Sequence, residues 1–116
     1  MHDFPYPSYL RTHRERWTLT QAELGALLGI AESAVSRYEK LQRTPSVRAL
    51  IGAEFIFGVH ARRIFPGPYA SVELEISKVA GEFAEALAHL EVEDTAVKRQ
   101  LLEGIALRMA GEQLNV

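Results

Sequence analysis

A chain of 116 residues, 47% of them hydrophobic and 24% charged, is long enough to bury one ordinary core and too apolar for global disorder. It contains no cysteine, which excludes a disulfide framework, a thiolate metal site and a cysteine nucleophile and fits a reducing, cytoplasmic setting. No apolar run approaches the roughly 18 residues of a membrane span, and the first seven residues have neither the basic nor the apolar character of an export signal, so no membrane association is expected.

In chain order, a first helix is predicted from an N-cap at Ser8, after Pro7, to about Arg16, with Tyr9, Leu10 and His13 toward the core and Trp17 and Leu19 packing the link that follows. Thr20-Gln21-Ala22-Glu23 fits a capping box opening a second helix. Leu24, Leu27 and Leu28 recur at helical spacing before Gly29, which tolerates the positive φ of a helix stop. Gly25 is small where two crossing helices must approach closely. A third helix is predicted from about Ala31 to Lys40, with Ile30, Val35 and Tyr38 completing the apolar set. Thr44-Pro45-Ser46 makes a turn and N-cap for a fourth helix from Val47 to about Phe57, ended by Gly58, and a short fifth covers His60 to Phe65. Pro66-Gly67-Pro68 reads as a boundary that no helix crosses.

Beyond it the pattern changes. Val72, Ile76, Val79, Phe83, Leu87 and Leu90 form one apolar stripe on a long helix from about Ser71 to Leu90, with Glu73, Glu75, Glu82 and Glu85 on the other faces. Asp94 is placed to cap a last helix, from Thr95 to about Glu112, with the stripe Val97, Leu101, Leu102, Ile105 and Met109. This is more apolar surface than a two-helix hairpin buries alone, so it must meet the rest of the chain or another chain. Charge divides at the same place: residues 1–66 carry a net +3 and residues 67–116 a net −5. Arg37, Lys40, Arg43 and Arg48 fall in or just after the third helix, where phosphates lie if that helix enters a groove.

Residues 9–66 resemble the helix-turn-helix family of phage Cro and cI repressors and their bacterial relatives. The resemblance rests on Leu10, Arg14, Leu19-Thr20-Gln21, Glu23-Leu24, Leu28-Gly29-Ile30, Val35-Ser36-Arg37-Tyr38-Glu39, Pro45-Ser46, Leu50, Gly58-Val59 and Ile64-Phe65, in order and at family spacing. It implies an all-α, five-helix bundle (residues 1–66) that binds operator DNA with the third helix in the major groove. The hairpin of residues 67–116 carries no such motif and is assigned to dimerisation or partner binding, through Val72, Ile76, Val79, Phe83, Leu87, Leu101, Ile105 and Met109.

Carried over by position, the resemblance assigns Glu32, Ser33, Ser36 and Arg37 to base edges, since they share the outward face and leave Val35 and Tyr38 to the core. Gln21, Lys40, Arg43, Ser46 and Arg48 are assigned to the phosphate backbone, Gln21 also bracing the third helix. Arg14 and Glu39 are expected to pair internally. Three positions depart from the family: Ala31 lacks a capping side chain, Glu32 faces a polyanion, and Leu41 stands near the usual glycine and must either take a positive φ or extend the helix.

No enzyme chemistry, metal or cofactor is expected. His2, His13, His60 and His89 are scattered without i, i+4 pairing, no phosphate loop or nucleophile motif occurs, and Glu91, Glu93 and Asp94 read as solvated or dipole-facing carboxylates. The expected function is a sequence-specific transcriptional regulator, a dimeric repressor of a pseudo-palindromic operator in double-stranded DNA. The alternatives are the antitoxin of a toxin–antitoxin pair, whose acidic helices cover the toxin while the N-terminal domain represses the operon, and a protein-binding adaptor that has lost DNA binding.

Overall fold

The computed structural model of the chain describes residues 8–90 and 95–114, with side chains as far as 111. The described residues are all-helical: α1 (Leu10–Arg16), α2 (Gln21–Leu28), α3 (Glu32–Glu39), α4 (Val47–Phe57), α5 (Ala61–Ile64), α6 (Pro66–Leu87) and α7 (Thr95–Leu114). They fall into two compact units divided between Ala70 and Ser71.

In the first unit, local chemistry sets where each helix starts and stops. The Thr20 hydroxyl accepts from the Glu23 amide at 3.0 Å while the Glu23 carboxylate accepts from the Thr20 amide at 2.8 Å, the reciprocal cap that α2 needs for its unpaired N–H groups. Gly29 ends α2 at φ 73°, and the amides of Gly29 and Ile30 return to the carbonyls of Ala26 and Gly25. These two bonds form a Schellman motif. A Cβ at Gly25 would lie 2.9 Å from the Ile30 carbonyl oxygen, so a hydrogen at that position is what lets α2 and the start of α3 approach. Ser46 caps α4 by accepting from the Ala49 amide at 3.1 Å. Glu54, projecting from α4, accepts from the Ala61 amide at 2.9 Å and so caps α5.

The core these caps enclose is Leu10, Leu24, Leu28, Val35, Tyr38, Ala49, Ala53, Ile64 and Phe65, with Ile30, Leu50, Ile56 and Val59 packed against it. Three sequence expectations fail at its rim. Leu27 is 58% exposed, Tyr9 42% and Trp17 63%: α2 meets the core with Leu24, Gly25 and Leu28, a side that Leu27 does not share, and Tyr9 and Trp17 are the residues that flank α1 at its two ends. Ser8 does not cap α1; Tyr9 occupies that position, and the Ser8 hydroxyl accepts from the Leu10 amide at 3.3 Å.

The proline boundary is also corrected. Pro66 and Pro68 do not interrupt a helix but open one: they fill the first and third positions of α6, where a backbone N–H has no intrahelical partner to lose. Within the second unit, Ser77, Ala80, Gly81 and Ala84 of α6 line a groove with Leu102 and Ala106 of α7. Ile76 of the α6 stripe lines a second groove with Ile105, Arg108 and Met109 of α7. Leu87 is buried, whereas Val72, Ile76, Val79 and Phe83 are 48–61% exposed. The α7 stripe likewise splits, Leu102, Ile105 and Met109 being half-buried while Val97 and Leu101 are open. Asp94, with Glu91, Glu93 and His2, lies outside the described residues.

Candidate nucleic-acid interface

The interface is built on α3, whose two faces are sharply different. Ala34, Val35 and Tyr38 are buried, anchoring the helix on the core, while Glu32, Ser33 and Arg37 are exposed and Ser36 is half-buried. All four residues expected to read base edges thus lie on the outward side of one eight-residue helix. The N-cap, Ala31, has the extended backbone of a cap and no side-chain hydrogen bond, as the sequence required. The missing bond leaves α3 short of about 1 kcal/mol.

What holds α3 instead is a network at its other end. Glu39 accepts from Arg14 Nε at 2.6 Å and from a second guanidinium nitrogen at 3.1 Å, a two-pronged contact, and from the Gln21 amide nitrogen at 3.0 Å. The same arginine donates to the Leu19 carbonyl at 2.8 Å. One buried carboxylate therefore ties α1, the α1–α2 link and the start of α2 to the last residue of α3. The hydrogen bond to Glu39 raises the Arg14 pKa further above its ordinary value, against a smaller opposing effect of burial. The expected internal pair is present, and Gln21 braces α3 through it.

Directly after the network, Lys40 and then Leu41 close α3. Leu41 takes φ 53° and is 4% exposed. Its amide returns to the Tyr38 carbonyl, and the Gln42 amide returns to that of Arg37 at 2.9 Å. Of the two outcomes the sequence allowed, the chain adopts the positive φ and makes a Schellman turn with leucine where glycine is usual. The turn leads to Arg43, exposed on the loop before Pro45.

Besides Gln21, two residues expected at phosphates form bonds within the first unit, Ser46 and Arg48. The Ser46 hydroxyl is the α4 cap already described. Arg48 donates from Nε to the Leu28 carbonyl at 2.7 Å, satisfying an end group of α2, and its guanidinium lies where a Gly29 side chain would be. Lys40 and Arg43 are exposed beside the C-terminal end of α3. One surface escaped the sequence reading altogether: Val47, Ile51 and Phe55, at i, i+4 and i+8 on the solvent side of α4, are 70%, 65% and 88% exposed. Their spacing was visible, but α4 is apolar on most faces and periodicity alone did not say which face was buried. No group of residues among those described is arranged to hold a metal ion, and no described helix is long and apolar enough to cross a membrane.

Two short helices joined by a glycine turn, the second held from behind and open in front, define a DNA-binding helix-turn-helix. Residues 10–63 match the family model described as Helix-turn-helix, and this segment, slightly less than half of the chain, is a helix-turn-helix of the Cro/cI type. No curated protein and no solved structure matches the chain. The segment supports, in general terms, a DNA-binding transcription regulator.

Proposed function

We propose that the protein is a sequence-specific repressor that binds a pseudo-palindromic operator as a dimer and acts by occluding a promoter. The observation that carries this reading is the outward face of α3: Glu32, Ser33, Ser36 and Arg37 stand clear of a helix fixed from behind by Val35, Tyr38 and the Arg14–Glu39–Gln21 network. In this reading Arg37 binds guanine O6 and N7 in a bidentate manner, and Glu32 accepts from cytosine N4, which turns a carboxylate that opposes general DNA affinity into a source of discrimination. Lys40 and Arg43 neutralise phosphates and set register, with Gln21 at the start of α2. Two copies of α3 then read half-sites about 34 Å apart, one turn of duplex.

The exposed apolar row of α6 supports self-association over binding as a single chain, and its acidic surroundings support a second reading in which a basic partner protein covers it, as in an antitoxin. Selection of bound sequences from random duplexes, followed by titration at two salt concentrations, tests whether the chain reads DNA at all. A recovered palindrome, bound by two chains with an affinity that falls steeply with salt, is the expected result. Binding without sequence preference would overturn it in favour of an adaptor or a partner-binding role.

A further inference from the structure

α3 is tied down at its last residue by the contacts of Glu39 with Arg14 and Gln21, whereas no side-chain hydrogen bond caps its first turn. That first turn follows α2 through Gly29, Ile30 and Ala31, so its placement depends on where α2 ends. α4 grips that end twice, both times at Leu28. A Cβ at Gly52 would lie 2.5 Å from Leu28 Cδ2, so α4 has a hydrogen where the leucine side chain needs room. At the backbone of the same leucine, Arg48 Nε donates to the carbonyl at 2.7 Å. Arg48 Nη2 falls 2.6 Å from the place a Gly29 Cβ would take, so the guanidinium covers the turn itself. A cation there also faces the negative end of the α2 dipole.

A phosphate contact, the role the sequence suggests for Arg48, would add affinity without discrimination. The bond to Leu28 points to a different task. We propose that Arg48 is a positioning residue for base reading: it holds the turn of Gly29, Ile30 and Ala31 from α4 and thereby fixes the first turn of α3, which carries Glu32 and Ser33. The Glu39 network does the same for the end that carries Arg37. Hydrogen bonds weaken steeply away from their preferred angles, so slack at one end of a reading helix costs base preference at that end. The inference rests on the DNA-reading proposal above and adds to it a residue outside the reading helix.

Two neutral variants of the full chain separate the roles, because both side chains reach the place of Nε over the same number of bonds. Arg48→Gln puts a nitrogen donor there and Arg48→Met a methyl group. Hydrogen exchange of the free chain is read first. With methionine, the amides of Ile30 and Val35, bonded to the carbonyls of Gly25 and Ala31, should exchange about tenfold faster, while that of Gln42 at the far end of α3 keeps its rate. With glutamine all three should keep their rates. Titration against the selected operator and its single-base variants follows. Arg48→Met should lose about fivefold or more of the discrimination at the bases facing Glu32 and Ser33, keep it at the base facing Arg37, and leave the salt dependence unchanged. Arg48→Gln should keep both. A salt dependence lowered in both variants, with base preference intact, would make Arg48 a phosphate contact and overturn the proposal. Equal acceleration of all three amides with preference intact would reduce its role to overall stability and overturn it as well. Should Arg48→Met lose helix content, Arg48→Leu, likewise without a donor, replaces it. If the unsubstituted chain selects no sequence, the DNA-reading proposal fails, and the exchange pattern still decides whether Arg48 fixes the start of α3.

Discussion

Thr18 and Leu41 share a left-handed backbone, at φ 57° and 53°, in opposite surroundings. A left-handed conformation costs a residue with a Cβ roughly 1–2 kcal/mol, and glycine relieves it. Thr18 is exposed, so Thr18→Gly loses little packing, and the relief exceeds the extra unfolded-state entropy of roughly 0.4–1 kcal/mol. The variant should be slightly stabilised, by up to about 1 kcal/mol in urea unfolding. Leu41 is 4% exposed, and the same change there removes a buried side chain worth about 1.5–3 kcal/mol. Leu41→Gly should therefore be destabilised despite the relieved backbone. Burial explains why leucine persists at a glycine position.

His13 is half-buried with its ring 5.6 Å from that of Phe57. Burial, and behind it the charge of Arg16, lower its pKa below 6.5. A histidine with a lowered folded-state pKa favours the fold as neutral imidazole, so its contribution is complete above about pH 6.5 and is lost as pH falls through the window below it. Melting temperature should drop over that window, and His13→Phe, which keeps a ring against Phe57, should flatten the drop. A slope unchanged by the substitution would assign it to other groups.

At the scale of elements, the Arg14–Glu39 contact decides how firmly α3 is held. Side-chain exposures of 11% and 4% make it a buried pair. Removing only the arginine strands a buried carboxylate with Gln21 as its remaining side-chain donor, at a cost of about 3–5 kcal/mol, whereas replacing both partners with apolar residues removes the stranded charge as well. Arg14→Ala should thus be strongly destabilised, and Arg14→Met with Glu39→Leu distinctly less so, in equilibrium unfolding of each chain.

The bounds of α2 and α4 were legible in the sequence because they are fixed by nearby residues: Thr20 with Glu23, Gly29, Ser46 and Gly58 act within a turn of where they stand. Pro66 and Pro68 misled because a proline forbids a helix interior but suits its first turn, and no local signal separated the two cases. Leu27 misled for a related reason. Helical spacing identifies an apolar face but does not measure how wide a face the core requires. The Arg48 bond to the Leu28 carbonyl, spanning two helices, could not be read from either one.

For the molecule as a whole, charge divides along the chain while apolar side chains are exposed in both units. Residues 1–66 carry the positive balance and the Cro/cI-type segment; residues 67–116 carry the negative balance and the exposed apolar row of α6. The proposed dimeric reading predicts separable losses: a charge placed in the apolar row of α6, as in Val79→Glu, should reduce binding to a two-half-site operator while leaving the preferred base sequence unchanged. Changes on α3 should alter the preference itself.

That preference is the central claim, and Arg37→Ala tests it most directly. Binding of the unsubstituted chain and of Arg37→Ala should be titrated against the selected operator and against every single-base change in one half-site, with Lys40→Ala alongside. The account predicts that Arg37→Ala loses about 1–3 kcal/mol and stops discriminating at one base pair, whereas Lys40→Ala weakens binding to all sequences alike and lowers the salt dependence. An Arg37→Ala chain that is correctly folded and keeps the full base preference at every position would contradict the assignment of α3 as the reading helix.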